Sequence, residues 1–171
     1  QGDTVRVSLT SNLPYGQTTS MIFPGHQVTA SGGSAGLLTR ESTGPGDIVT
    51  YQFTASEPGT YMYHSGTRME LQIEMGMVGA LIVRPAGLAN RAYNHADTQF
   101  DHEYLFLLTS MDPTIHELAE MGRFDEIDVT AYFPVYWFVN GRAAPDDLAD
   151  AFVAWLPHQP YNSRPRMTPG Q

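Results

Sequence analysis

A chain of 171 residues is long enough for one domain with a sizeable core and some additional segments. Its formal net charge is -9, and all nine basic residues are Arg, so phosphate backbones and anionic lipid surfaces are poor partners. With no Cys, the chain has no disulfides, no Cys-ligated zinc, no thiol catalysis and no thiolate copper centre.

In chain order, DTVRVSLT (3–10) alternates Val5, Val7 and Leu9 against Arg6 and Ser8, the period of a half-buried strand. Residues 13–47 are rich in Gly, Ser and Thr and read as a long connecting loop. GPGDIVTYQFTASEPGTYMYH (44–64) reads as turn, strand, turn, strand, with Val49, Tyr51 and Phe53 on one face. VGALIVRP (78–85) is a short apolar run closed by Pro, as a core strand is. HEYLFLLTS (102–110) and VYWFVNG (135–141) predict two more strands, the second a core strand ending in an Asn140-Gly141 turn. Strands this short, punctuated by Pro and Gly, call for an antiparallel sandwich or a barrel.

MDPTIHELAEMG (111–122) predicts a helix with Asp112 as N-cap, Pro113 in the first turn and Gly122 as its stop. Ile115, Leu118 and Ala119 form its apolar stripe. PDDLADAF (145–152) predicts a shorter helix, and Arg142 is expected to pin the neighbouring linker through a carboxylate. QGDTVRV, GPGDIVTY and the closing TPGQ share a turn-then-strand cue, and the last stops before its strand. WLPHQPYNSRPRMTPGQ is therefore expected to lead toward a further domain, which makes the chain a piece of something longer. The expected division is 1–110 as the core sandwich, 111–134 as a helical insertion or connection, and 135–171 as a closing strand and linker. No run approaches the roughly 18 apolar residues of a membrane span.

EPGTYMYHS followed by MGMVGALIVRP resembles the cupredoxin domain of multicopper oxidases and copper nitrite reductases. GDTVRVSLTSNLP, EYLFLLTSMDP and YWFVNGRAAPD resemble its flanking stretches. The resemblance implies an all-β, Greek-key cupredoxin-like β-sandwich with one or two short helices in insertions. It also implies copper, oxidoreductase chemistry and an extracytoplasmic location in the periplasm, at the cell surface or outside the cell. The family holds a type-1 copper with two His, a Cys thiolate and an axial Met, and an interdomain cluster with His-x-His pairs. Residues i and i+2 of a strand share a face, which lets paired imidazoles reach one cluster.

Carried onto this chain, the first His-x-His falls on Ile22 and Pro24 and the second on His64 and Gly66. The type-1 thiolate falls on Ser65, its following His on Gln72, the axial thioether on Met77 and the first His on Thr19. The nitrite reductase active-site acid falls near Ile22. His64 is thus the one residual copper ligand, to be set against a histidine that merely hydrogen-bonds at a strand–loop junction. No catalytic residue is expected, and copper is implied by the family without being expected on this chain alone.

His26 is placed to swing into the vacated space. His95, His102, His116 and His158 are scattered and are read as surface or structural. Met62, Met69, Met75 and Met77 lie around His64, either as Cu(I) donors or as gap-fillers in the core. Asp101, Glu103, Asp125, Glu126 and Asp128 lack calcium-loop spacing and are read as solvated loop faces. There is no G-x-S-x-G elbow, P-loop or dinucleotide fingerprint, and SGGSAG (31–36) lacks the Lys and helix of a phosphate cradle.

Three functions follow. The first is a cupredoxin-type scaffold or interaction domain without intact type-1 and trinuclear sites. The second is part of a copper-dependent oxidoreductase whose ligands come from other domains or subunits. The third is a metal-free structural subunit of an extracellular assembly. Further cupredoxin domains or partner subunits are the expected partners, in a larger chain or an oligomer.

Overall fold

Alternation along the first strand decides the first pairing. Val5, Val7 and Leu9 of β1 (Thr4–Thr10) lie on the face that turns from solvent. The chain then runs through β2 (Met21–Ile22), β3 (Thr29–Gly32), β4 (Ser34–Ala35), β5 (Arg40–Glu41) and β6 (Ile48–Thr54). Next come β7 (Gly59–Ser65), α1 (Met69–Gln72), β8 (Val78–Val83), β9 (Leu108–Met111), α2 (Pro113–Glu120), β10 (Tyr136–Val139) and β11 (Arg142–Ala143). The structure is a computed structural model and describes residues 1–165 and 168.

β1 and β6 pair antiparallel with Val5 opposite Phe53, Val7 opposite Tyr51 and Leu9 opposite Val49, so six apolar side chains face one way. β3 completes this sheet on the far edge of β6, and β2, β7 and β8 form the facing sheet. Between the two lies the main core, where Phe23, Val49, Tyr51 and Phe53 meet Tyr63 and Leu81. Phe23 is its centre, with ring centroids 5.0 Å from Phe53 and 6.0 Å from both Tyr51 and Tyr63. The expected all-β sandwich with short helices is the architecture observed.

The buried Tyr51 hydroxyl donates to the Arg40 carbonyl at 2.7 Å and accepts the Met21 N–H at 3.1 Å. It thereby fastens β5 and β2 to the central strand, and burial pushes its phenol above the ordinary range. Residues 13–47 are consequently not one loop. They contain four two-to-four-residue strands, because Gly32 and Gly33, both at positive φ, turn the chain back onto itself.

β9, β10 and β11 form a separate three-stranded sheet. The β10–β11 turn is Asn140 (φ 52) and Gly141 (φ 78), the two-residue hairpin geometry that Asn-Gly favours. Three expectations change here. The strand predicted from 102 begins only at Leu108, since the Asn140 amide ties up Leu105 O and Leu107 N before any ladder forms. β10 is not a core strand, for Tyr136 and Trp137 stand exposed. The helix predicted over 145–152 is a single 3-10 turn at Asp146–Leu148.

Arg142 explains that last change. Its guanidinium is buried and donates to the carbonyls of Asp146, Ala149, Asp150, Gln159 and Tyr161. Carbonyls held by a side chain are drawn away from helical N–H groups. The linker is thus pinned through carbonyls and not through a carboxylate.

α2 follows its sequence signals closely. Asp112 accepts the Thr114 N–H at 2.9 Å, Pro113 opens the helix, and Gly122 at φ 71 ends it. Ile115 and Ala119 pack against Leu71 of α1, with Phe124 and Ile127 around them. The TPGQ cue lies outside the described residues except for Thr168.

Tyr51→Phe removes a donor from Arg40 O and an acceptor from Met21 N–H inside a dry core. Urea unfolding should show a loss of about 1–3 kcal/mol, with the core aromatic packing intact by near-UV circular dichroism.

Candidate metal centre

Ser65 closes β7, and the chain then turns through Gly66, Thr67 and Arg68, the last at φ 42, into the single turn of α1. Gly76 at φ 90 reverses it, and Met77 returns beside the start. Backbone bonds fix this excursion: Gln72 N–H to Arg68 O at 2.8 Å, Met77 N–H to Gln72 O at 2.9 Å, and Ser65 N–H to Met77 O at 3.0 Å. Across from it, Thr19 pairs with Ser42 as an isolated bridge.

These elements bring Thr19, Ser65, Gln72 and Met77 together, the four positions that the resemblance assigns to a type-1 centre. Thr19, Ser65 and Gln72 are 1%, 1% and 5% exposed. The Thr19 hydroxyl lies 3.0 Å from Gln72 Oε1 and 3.9 Å from Met77 Sδ. The Ser65 hydroxyl lies 2.6 Å from Gln72 Oε1 and 2.9 Å from Thr67 O, and it accepts the Thr67 N–H at 3.1 Å. Gln72 Nε2 donates to Thr18 O at 2.7 Å.

This donor set does not fit copper. Two neutral hydroxyls, an amide and a thioether stand where the metal draws on imidazole and thiolate, and the oxygens are already committed to one another.

Nor does the other half-site assemble. His64 faces Ile22 in the β2–β7 register. Its Nδ1 lies 2.9 Å from Ser65 O, which, with the proton on Nδ1, leaves Nε2 bearing a lone pair. A Cβ at Gly66 would fall 2.8 Å from Ile22 Cγ2 and 2.9 Å from Ser20 Oγ, so the isoleucine and the serine fill the space a second side chain needs. Among the described residues, no group of three or more His, Asp or Glu is arranged to hold an ion.

His26 does not swing toward His64. Its ring lies between Phe53 at 4.6 Å and Tyr61 at 4.4 Å, and both ring nitrogens are shielded without a partner among the described residues. Burial holds its pKa below the ordinary 6.5. His95 accepts the Asp97 N–H within its own 3-10 turn, and His102 and His158 are exposed. Met62, Met69 and Met75 stand partly in solvent and do not fill the core, whereas Met77 lies at the network. Glu103 pairs with Arg84, nineteen residues before it, while Glu126 pairs with Arg123 and Asp128 accepts the Thr130 N–H locally.

Sequence reasoning missed Glu74. Its buried carboxylate accepts the Asp112 N–H at 2.6 Å and the Tyr132 hydroxyl at 3.1 Å, and the His116 ring lies 3.1 Å from its carbonyl. Tyr132 in turn meets Ser110 at 2.8 Å, and its phenol is pushed up by burial. This cluster docks α2 and the β9–β11 sheet onto the loop carrying Gln72. Its members are too far apart in the chain for any spacing to reveal them.

Comparison with known proteins fits this frame. A family model described as multicopper oxidase matches residues 1–87. L-ascorbate oxidase of Brassica rapa subsp. pekinensis is 36% identical over 87 residues, 48% of this chain and 14% of its own length. The copper-containing nitrite reductase of Neisseria gonorrhoeae is 34% identical over 86 residues, 50% of this chain and 21% of its own. Among solved structures, a copper nitrite reductase from Nitrosomonas europaea superposes with TM-score 0.50 at 27% identity, over 72% of this chain and 40% of that one. The chain thus matches only a minor part of each relative.

Two measurements probe the packing around the half-site. Gly66→Ala should cost about 1–3 kcal/mol through overpacking, and combining it with Ile22→Ala should cost less than the sum of the two single changes. For His26, unfolding restores the ordinary pKa of 6.5, so the unfolded chain takes up its proton first as pH falls. The stability due to its neutral ring is complete above that value and drains away as pH drops through the lower folded one. The urea midpoint should therefore fall between about pH 7.5 and about pH 5.5, and fall less in His26→Phe.

Proposed function

The chain belongs to the multicopper oxidase family, and on that premise we propose that it is a cupredoxin-type domain without intact type-1 and trinuclear copper sites. It acts as a scaffold or interaction domain, packed against further cupredoxin domains or partner subunits, in an extracytoplasmic setting. The observation that carries this reading is the set of side chains at the four converging positions. Thr19, Ser65 and Gln72 satisfy one another by hydrogen bonds there, and a lone thioether does not hold Cu(II).

The interaction role draws on the β9–β11 sheet. The register puts Leu108, Trp137 and Val139 on one face, and Leu108 and Trp137 are 71% and 67% exposed. A sheet is stable when its apolar face meets another layer, so this face calls for a further sheet or subunit. Among the described residues no helix is long and apolar enough to cross a membrane.

One observation favours a second reading, in which the chain contributes to an active copper oxidoreductase. His64 is oriented as metal-binding histidines are, with Nδ1 on a backbone carbonyl. In that reading its Nε2 joins ligands supplied by other domains.

The purified chain, loaded with Cu(II) and dialysed, should carry far less than one copper per chain by elemental analysis and give no protein-bound EPR spectrum. A stoichiometric signal that disappears in His64→Ala would overturn the scaffold reading.

A further inference from the structure

We infer that the Gln72 side chain stands in for a bound ion, gathering onto one amide the segments that a metal would otherwise tie together. The inference rests on the copper-free reading of this centre and goes on to say what replaced the metal. Three stretches of chain must be held in place there: the residues before β2, the end of β7, and the α1 excursion that leads to Met77. A coordinated ion holds such segments through its ligands.

Here Gln72 Oε1 receives the Thr19 hydroxyl at 3.0 Å and faces the Ser65 hydroxyl at 2.6 Å, while Nε2 reaches Thr18 O at 2.7 Å. Both polar atoms of the side chain are used, and all three partners come from outside α1. The chemistry suits an amide in particular. It offers an acceptor to two hydroxyls and a donor to a carbonyl at a site nearly closed to water, with no charge to desolvate. A glutamate of the same length would present only oxygen to Thr18 O.

Met77 Sδ, 3.9 Å from the Thr19 hydroxyl, keeps the fourth direction. Backbone bonds from Ser65 to Met77 and from Met77 to Gln72 close the excursion on itself, and the Gln72 side chain ties it to Thr18 and Thr19. The convergence that a four-ligand centre needs has therefore outlived its donors.

Two variants test this. Gln72→Leu keeps the bulk and deletes the hub, and the urea midpoint should fall by about 1 M, as expected when buried hydroxyls and a carbonyl lose their partner. An unchanged midpoint overturns the inference by itself. Thr19→His/Ser65→Cys/Gln72→His restores imidazole and thiolate opposite Met77. It should bind one Cu(II) per chain with an intense visible thiolate-to-copper band, and copper should raise its melting temperature while leaving that of the unaltered chain unmoved. A triple variant with native circular dichroism that takes up no copper also overturns the inference. If that variant does not fold, Gln72→Leu decides alone. Copper bound stoichiometrically by the unaltered chain sinks the scaffold reading instead, which keeps the two failures apart.

Discussion

The wedge of Phe23 between the two sheets sets the geometry on which the rest of the molecule depends. Phe23 comes from the loop after β2 and reaches Tyr51 and Phe53 of one sheet and Tyr63 of the other. Its position sets the spacing of the layers, while the β2–β7 ladder, with Met21 opposite Ser65, sets the distance between the residues before β2 and the end of β7. Tyr51 adds a polar fastening beneath the same wedge, holding Met21 directly. Thr19 and Ser65 are joined to this frame by backbone bonds, Thr19 to Ser42 and Ser65 to Met77.

On that foundation the candidate centre satisfies its buried polar groups within the frame itself. A buried polar site must be satisfied or abandoned, because an unpaired donor or acceptor in a dry interior is costly. Hydroxyls and an amide satisfy each other at Thr19, Ser65 and Gln72, and the excursion from Ser65 to Met77 keeps its shape. Glu74, two residues beyond Gln72, extends the same loop to α2 and Tyr132. The loop that carries Gln72 therefore serves as the joint between the sandwich and the β9–β11 sheet.

The fold was legible where side-chain period and turn chemistry agreed. Val49, Tyr51 and Phe53 declared the inward face of β6, and Asp112, Pro113 and Gly122 bounded α2 almost to the residue. The short strands inside 13–47 escaped notice because two-residue strands have no period to read. The 145–152 helix failed because the guanidinium of Arg142, just upstream, competes for the backbone, and that contact exists only after folding. At the centre, the resemblance to the cupredoxin family was what pointed to Thr19, Ser65, Gln72 and Met77, whereas the Glu74 cluster joins residues separated by up to 58 positions. Sequence pattern carried local order and motif spacing; long-range polar docking lay beyond it.

The close approach of Ile22 to Gly66 bears on what this site could be made to hold. Each position now accommodates the other: the branched methyl occupies what a side chain at 66 would claim, and the glycine leaves it free. An imidazole placed at 66 alone would meet the Ile22 methyl and the Ser20 hydroxyl before it could reach any ion. The two positions are sterically interlocked, so a ligand at 66 requires two substitutions and not one.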